Sequence, residues 1–213
     1  MSTAIVTVGA LPDMLTFTPD GSKVVVANEG EPNSDYTIDP EGTVGIIDIS
    51  TLSYTSVDFG NVTPDASTRI FGPNASVAQD LEPEYIATNS SGTKAYVTLQ
   101  ENNAIGIIDI NSGTVVDVVG LGFKDHSTPG NQFDASNRDD LDGNLQNWPT
   151  FGMYQPDAID SFQVDGEDYF VIVNEGDARD YDGYSEEVRM DDLNPTPELE
   201  ASLVANLGPD WQD

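Results

Sequence analysis

The sequence predicts an all-β fold with one short C-terminal helix, on three observations. A turn-and-strand unit recurs along the chain, its strands are rich in β-branched residues, and helix signals are confined to the end. Repeated antiparallel meanders of roughly 40 residues joined by Gly-rich turns are the signature of β-propeller blades. The expectation is therefore a single propeller-type domain over residues 1–213, with blades at about 11–57, 81–120 and 156–193.

The first copy opens with Phe17-Thr-Pro-Asp-Gly-Ser-Lys-Val-Val-Val-Ala-Asn-Glu29, a turn feeding a strand, and continues with the strand Thr43-Val-Gly-Ile-Ile-Asp-Ile49. The second repeats both parts in Ala87–Glu101 and Ala104-Ile-Gly-Ile-Ile-Asp-Ile110. It then turns at Ser112-Gly113 into Thr114-Val-Val-Asp-Val-Val119, which makes a three-stranded meander. A third copy runs from Asp157 to Phe162, turns at Asp165-Gly166 and follows Tyr169–Val173 into Asn174-Glu175-Gly176; its later strands have no clear signal. The helix is expected near the C-terminus, where Thr196 can cap, Pro197 suits the first helical position, and Leu199, Leu203 and Leu207 share a face before Gly208-Pro209. Residues 58–84 and 121–156 exceed ordinary loop length and are expected to be structured insertions.

Thirty-eight acidic against seven basic residues give a formal charge of −31, which repels nucleic acid and makes it an unlikely partner class. The hydrophobic fraction of 38% and the eight Tyr, eight Phe and two Trp argue for a packed core rather than disorder. Such self-repulsion is tolerable where salt screens it or where cations neutralise it, so a salt-adapted, halophilic setting fits. The chain has no Cys, hence no disulfide and no thiolate chemistry. No run approaches the ~20 apolar residues of a membrane span, and Met1-Ser-Thr-Ala4 is not a signal peptide. Either the chain is soluble or an export signal has been removed.

Cation chemistry is the reading the motifs favour. Asn-Glu-Gly ends a strand twice, at 28–30 and 174–176, each followed by Asp-Tyr at 35–36 and 180–181. Carboxylates and amide oxygens from successive strand ends are hard ligands of the kind Ca²⁺ takes. Glu29, Asp35, Glu175 and Asp180 are the candidate metal ligands, supported by Asn28, Asn174, Asp177, Arg179, Lys124 and His126. The competing reading is that Asn and Asp serve turns. Two further acidic loops fail the EF-hand spacing: with Gly143 at position six, Arg138 and Pro149 fall at positions one and twelve, and with Gly183 there, Ala178 and Arg189 do. His126 is the only histidine and cannot build a multi-histidine zinc site. Serine-hydrolase and zincin motifs are absent as well.

At the repeats, Gly92-Thr-Lys-Ala-Tyr-Val-Thr-Leu99 followed by Ala104–Asp109 resembles YVTN-type propellers. Leu11-Pro-Asp-Met-Leu15, Asn28-Glu-Gly-Glu-Pro32, Asp80-Leu-Glu-Pro-Glu-Tyr85, Gly122-Phe-Lys-Asp-His-Ser127, Tyr154-Gln-Pro-Asp157 and Asn174–Tyr181 together resemble the choice-of-anchor I domain. That domain is shared with mesenchyme-specific cell-surface glycoproteins, and its bacterial members are often labelled alkaline phosphatase-like. The resemblance runs from Leu11 to Leu207 and implies an exported or surface-anchored propeller, with mineral or cell-surface components as partners. Three blades do not close the usual ring, so a fragment of a larger propeller or a homo-oligomer completing it is expected. The leading functional reading is an extracellular module binding Ca²⁺. The alternatives are a Ca²⁺-dependent phosphoesterase, using metal-activated water, and a purely structural propeller.

Overall fold

The computed structural model describes residues 3–138, 140–141 and 143–209. Asp139 and Asp142, which belong to the acidic loop 134–144, lie outside the described residues. The fold is mostly β, arranged as small antiparallel sheets with two α-helices, and no sheet among the described residues closes into a barrel. The chain divides into two compact units. The first holds Met1–Phe123, Met153–Asp177 and Tyr181–Tyr184; the second holds Lys124–Gly152, Ala178–Asp180 and Ser185–Asp213.

The first unit is built from the three sequence repeats. Strands β1 (Pro12–Phe17), β2 (Lys23–Asn28), β3 (Thr43–Asp48) and β4 (Tyr54–Asp58) form one meander in chain order. Strands β5 (Pro83–Thr88), β6 (Lys94–Leu99), β7 (Ala104–Asp109) and β8 (Thr114–Gly120) form a second. The third repeat, which follows the short strands β9 (Lys124–Asp125) and β10 (Phe151–Gly152), is a hairpin of β11 (Pro156–Val164) and β12 (Glu167–Asn174). A two-residue pair, β13 (Asp180–Tyr181) with β14 (Tyr184–Ser185), comes next.

Turn chemistry fixes these registers. Asp20 accepts from Ser22 N at 3.0 Å and Thr18 Oγ1 at 2.7 Å, while Gly21 takes the left-handed conformation that reverses the chain. Asn89 does the same work between β5 and β6 by accepting from Thr93 N and Lys94 N, both at 2.9 Å. Asp48 and Asp109 close the following turns by accepting backbone N–H groups of Ser50 and Thr51, and of Asn111 and Ser112. Between β11 and β12, Asp165 and Gly166 both have positive φ, the two-residue hairpin turn that matches strand twist.

Paired residues in antiparallel strands point to the same side, so register assigns faces. Leu15↔Val26, Ile86↔Val97 and Ile159↔Ile172 are equivalent pairs on one face of each repeat, and Thr16↔Val25, Ala87↔Tyr96 and Asp160↔Val171 lie on the other. The core forms where the second face of the first meander meets the first face of the next. Val25, Ala27, Val44, Ile46 and Val57 there join one buried cluster with Ile86, Ala95, Val97, Ile108 and Val118. Each Val or Ile among them contributes about 1.5–3 kcal/mol by leaving water. The same stacking recurs once more: β11 packs on β5 and β6, with the Tyr96 and Phe170 rings 3.9 Å apart.

Several elements go beyond the sequence reading, among them Pro12–Phe17 and Pro83–Thr88, the first strands of the two meanders, so that the second has four strands rather than the expected three. Tyr54–Asp58 adds a fourth strand to the first meander, and α1 (Val77–Asp80) is a single helical turn inside the 58–84 insertion. Ser76 and Gln79 form a capping box around α1: Gln79 N donates to Ser76 Oγ at 3.3 Å, and Ser76 N donates to Gln79 Oε1 at 3.1 Å. This turn delivers the chain into Glu82-Pro83-Glu84. Gly42 must be Gly, since a Cβ would run into the Leu81 carbonyl oxygen and stand 2.6 Å from Pro83 Cδ.

In the second unit, β9 pairs with β10, and an isolated bridge joins Phe133 to Gln146, so the 121–156 insertion is structured as expected. The C-terminal helix α2 spans Pro197–Leu207, with Thr196 Oγ1 accepting from Leu199 N at 3.3 Å, Pro at its start and Gly208 at its end. Among the described residues no helix is long and apolar enough to cross a membrane.

Candidate functional site

The register places carboxylates at one end of the repeats. In each repeat the first strand starts with Pro followed by an acid: Pro12-Asp13, Pro83-Glu84 and Pro156-Asp157. Those prolines pair with the last residue of the second strand, as Pro12↔Asn28, Pro83↔Leu99 and Pro156↔Asn174. Immediately beyond that strand end stands a glutamate: Glu29, Glu101 one residue further on, and Glu175. The three repeats of the first unit thus each bring an acid from the first strand and a glutamate from the second strand to one end.

Local backbone geometry supports this placement. Leu11 and Gln155, which precede two of the prolines, both adopt φ of 45°, a left-handed conformation that non-glycine residues avoid. Their carbonyls accept from the glutamate amides, Glu29 N to Leu11 O at 2.9 Å and Glu175 N to Gln155 O at 3.3 Å. Each strained residue therefore ties the two acidic segments of its repeat together. Asn103 links neighbouring repeats by accepting from Tyr154 N at 2.8 Å and Gln155 N at 3.1 Å.

The carboxylates act on one another. Burial raises the Glu29 carboxyl to about 7, reinforced by Glu31, Glu101 and Asp13. Burial pushes Glu84 further, to about 11, with Glu101, Glu29, Asp13 and Asp157 adding repulsion. Asp13 is raised by partial burial and then by Asp157. A charge is costly to bury and like charges nearby make it costlier, so Glu84 keeps its proton at neutral pH. With its amide nitrogen turned toward Glu84, Gln100 donates to Oε2 at 2.9 Å and Oε1 at 3.2 Å. At the rim, Tyr181 donates to Glu31 Oε1 at 2.9 Å, and its hydroxyl pKa is raised by burial and by the charge of Glu82. The Tyr181 ring packs with Tyr36, which also meets Tyr184.

Exposed acids elsewhere behave oppositely. Asp20 is lowered to about 2 by the hydrogen bond from Ser22 N and by those from Thr18 and Ser22 side chains. Asp48, Asp65, Asp109 and Asp125 are lowered chiefly by serine, threonine or backbone donors in their turns. For these residues the turn reading of Asp holds.

The sequence candidates separate accordingly. Glu29 lies in the cluster, and Glu175 occupies the equivalent position of the third repeat, exposed. Asp35 is exposed in the loop after β2; Asp180 belongs to the second unit and is exposed. Asn28 is fully buried and saturated: its Oδ1 accepts from Gly9 N at 3.1 Å, and its Nδ2 donates to Thr43 Oγ1 at 3.2 Å and Tyr54 Oη at 3.4 Å. It is a structural residue. Asn28→Ala should cost about 1–3 kcal/mol in a urea unfolding curve, the cost of orphaning buried partners. It should leave a cation response intact. Asn174 and Asp177 are exposed; the Asp177 carbonyl accepts from the Gln155 amide.

In the second unit, Arg179 is buried, and its carbonyl accepts from Glu186 N at 3.0 Å. Lys124 is exposed in β9. His126 Nδ1 lies 2.7 Å from Asn131 O, which requires the proton on Nδ1, and its ring packs on Phe133 at 4.3 Å. It is a hydrogen-bonded turn side chain.

Sequence reasoning missed Asp13, Glu31, Glu84, Glu101 and Asp157. The signal was present but not distinctive: of eight Pro-acid dipeptides, four are followed sixteen to eighteen residues later by a glutamate, Pro64-Asp65 with Glu82 beside the three that open the repeats. As the side chains stand, no three carboxylate or imidazole groups among the described residues are close enough to hold a metal ion. The arrangement stores protons and repulsion; a cation would have to draw the more exposed Glu29, Glu31 and Asp13 carboxylates inward.

Comparison with known proteins adds a family. The family model for the choice-of-anchor I domain matches residues 2–212. No curated protein matches the chain. Among solved structures, the hydrazine synthase of Kuenenia stuttgartiensis is similar at 18% identity and a TM-score of 0.40, over 77% of this chain and 29% of that one. The chain thus spans less than a third of that protein's length.

Proposed function

The chain belongs to the choice-of-anchor I domain family, and from that premise we propose that it is an exported or cell-surface module of the β-propeller type. Its strand-end carboxylates bind divalent cations, Ca²⁺ foremost, in exchange for protons. The observation that carries this reading is the repeated pairing of Asp13, Glu84 and Asp157 with Glu29, Glu101 and Glu175 at one end of three successive repeats. Support for the propeller reading comes from the recurring register and from the face-to-face stacking of each repeat on the one before.

The chemistry follows from the electrostatics. Carboxylates that repel one another in a partly desolvated place can be neutralised by protons or by a cation, and above neutral pH protons become scarce. Ca²⁺ accepts six to eight oxygen ligands in flexible geometry, which suits acids on strand-end segments better than the rigid octahedron of Mg²⁺ does. The formal charge of −31 adds a long-range field that concentrates cations near the surface and fits a saline setting. A calcium titration followed by thermal unfolding tests the reading: stabilisation should vanish when Glu29 and Glu84 are both replaced by Gln. A response that persists in that variant places calcium elsewhere.

A further inference from the structure

The two meanders of the first unit each finish in an edge strand, and only one of those edges is closed. Hydrogen-bonded and non-hydrogen-bonded pairs alternate along antiparallel strands. Asp48 N donates to Ser53 O at 3.0 Å, so in the β3–β4 register Thr55 and Val57 turn their backbone groups toward β3. Tyr54, Ser56 and Asp58 therefore present their N–H and C=O groups outward, where no backbone group among the described residues bonds them. The matching edge of β8 is plugged. Asp65 N donates to Val118 O at 3.4 Å, Asp65 Oδ2 accepts from Gly120 N at 3.0 Å, and the β7–β8 register shifts between Ile107 and Ile108. β4 carries no bulge, proline or lysine, the devices that commonly guard an edge.

We propose that the β4 edge binds an extended peptide carrying basic side chains, which adds a strand to the first meander. A groove of about 390 Å³ lies between β4 and β8, lined by Ser56, Asp58, Asn61, Thr63, Thr114 and Asp117 among others. Every lining residue lies between Ser56 and Asp117 in the chain and inside the first unit. Two features select the occupant. The outward groups of Tyr54, Ser56 and Asp58 alternate along β4 as a pairing strand requires, which is how extended peptides add to open sheet edges. Asp58 and Asp117 then supply charge from the two strands that flank the groove. Each ties one oxygen internally, Asp58 Oδ1 to Gly60 N and Asp117 Oδ1 to Val118 N, both at 2.9 Å. The second oxygen of each is left to meet a Lys or Arg of the partner. A second copy of the chain fits the edge less well, since pairing β4 with β4 would bring together two molecules of formal charge −31. This inference does not rest on cation binding at the strand-end carboxylates.

The probe is a short fluorescent peptide of alternating Lys and Val, followed by anisotropy in about 0.15 M NaCl, where long-range attraction to the acidic surface is screened. The wild-type chain should bind it. N-methylation of alternate backbone amides keeps every charge of the peptide and removes its edge hydrogen bonds, so it should weaken binding at least about tenfold. Ser56→Pro removes an outward N–H and leaves the pairing with β3 intact, a substitution that edge positions tolerate. It should cause a similar loss with unchanged circular dichroism, and the N-methylated peptide reads the same contact on the unaltered protein. Asp58→Asn combined with Asp117→Asn should also weaken binding. A Lys–Val peptide that does not bind overturns the proposal. So does binding indifferent to N-methylation, which is attraction to the acidic surface alone, or binding unchanged in the double Asn variant. Self-association of the peptide-free chain that Ser56→Pro abolishes would make a second copy the occupant and overturn it as well.

Discussion

Between pH 4.5 and 7 the thermal midpoint of the protein is expected to fall as pH rises, the reverse of the behaviour of most acidic surfaces. Glu84 and Glu29 are both raised in the fold, Glu84 to about 11 and Glu29 to about 7, from an ordinary value of 4.5. The unfolded chain releases both protons above 4.5 while the folded chain keeps them. The folded state then binds more protons, and stability declines by about 1.4 kcal/mol per pH unit for the proton on Glu84 and by less for the part-exposed Glu29, whose charge solvent screens. The Glu29 contribution is lost as pH passes 7, and that of Glu84 continues to decline beyond it. On the acid side the sign reverses. Asp20, Asp48 and Asp109 are lowered by their turn hydrogen bonds, so their contribution is present above the ordinary aspartate value and disappears as pH drops through their folded values. A stability maximum near pH 4 to 5 follows. Glu84→Gln removes the largest proton-linked penalty while keeping a polar group beside Gln100. It should raise stability at pH 7 by an amount on the order of 3 kcal/mol and flatten the slope. Urea midpoints at half-unit pH steps measure both, and a Glu84→Gln protein with the wild-type slope would show that Glu84 ionises normally.

The strands that alternate β-branched residues with Gly-containing turns were legible: Lys23–Asn28, Thr43–Asp48, Lys94–Leu99 and Ala104–Asp109 each carry their own pattern and repeat it. The capped C-terminal helix was legible for the same local reason. Tyr54–Asp58 was not, because a short edge strand with Thr and Ser at its centre is made by pairing to β3 rather than by its own preference. The one-turn helix at Val77–Asp80 is too short for a hydrophobic period and was betrayed only by its Ser76–Gln79 capping box. At the site, Asn-Glu-Gly drew notice to Glu29 and Glu175 but not to Glu101, which completes that half of the acid pattern. The other half, Asp13, Glu84 and Asp157, lies sixteen to eighteen residues upstream of its glutamate partners. Only the hairpin register brings strand start and strand end together. Asn28 shows the converse: an amide that looks like a ligand in sequence becomes a buried brace once Gly9, Thr43 and Tyr54 surround it.

Calcium should stabilise the protein most where its protons are being lost, above neutral pH. At a hundredfold excess over its dissociation constant a ligand confined to the folded state adds about 2.7 kcal/mol. That increment should be present in the wild type and in Asp140→Asn, whose acid lies on the exposed loop of the second unit. Glu29→Gln combined with Glu84→Gln should abolish it, and Glu175→Gln should weaken it less, since Glu175 stands more exposed at the margin of the cluster. The central claim is that cations replace protons at these carboxylates, and proton-linked calorimetry tests it most directly. Calcium is titrated into the chain at pH 8 in buffers of different ionisation enthalpy, so that the buffer dependence of the heat counts the protons released. The account predicts release of about one proton per calcium bound, with both heat and release absent in the Glu29→Gln, Glu84→Gln protein. Calcium binding without proton release, or binding unchanged in that variant, would contradict it.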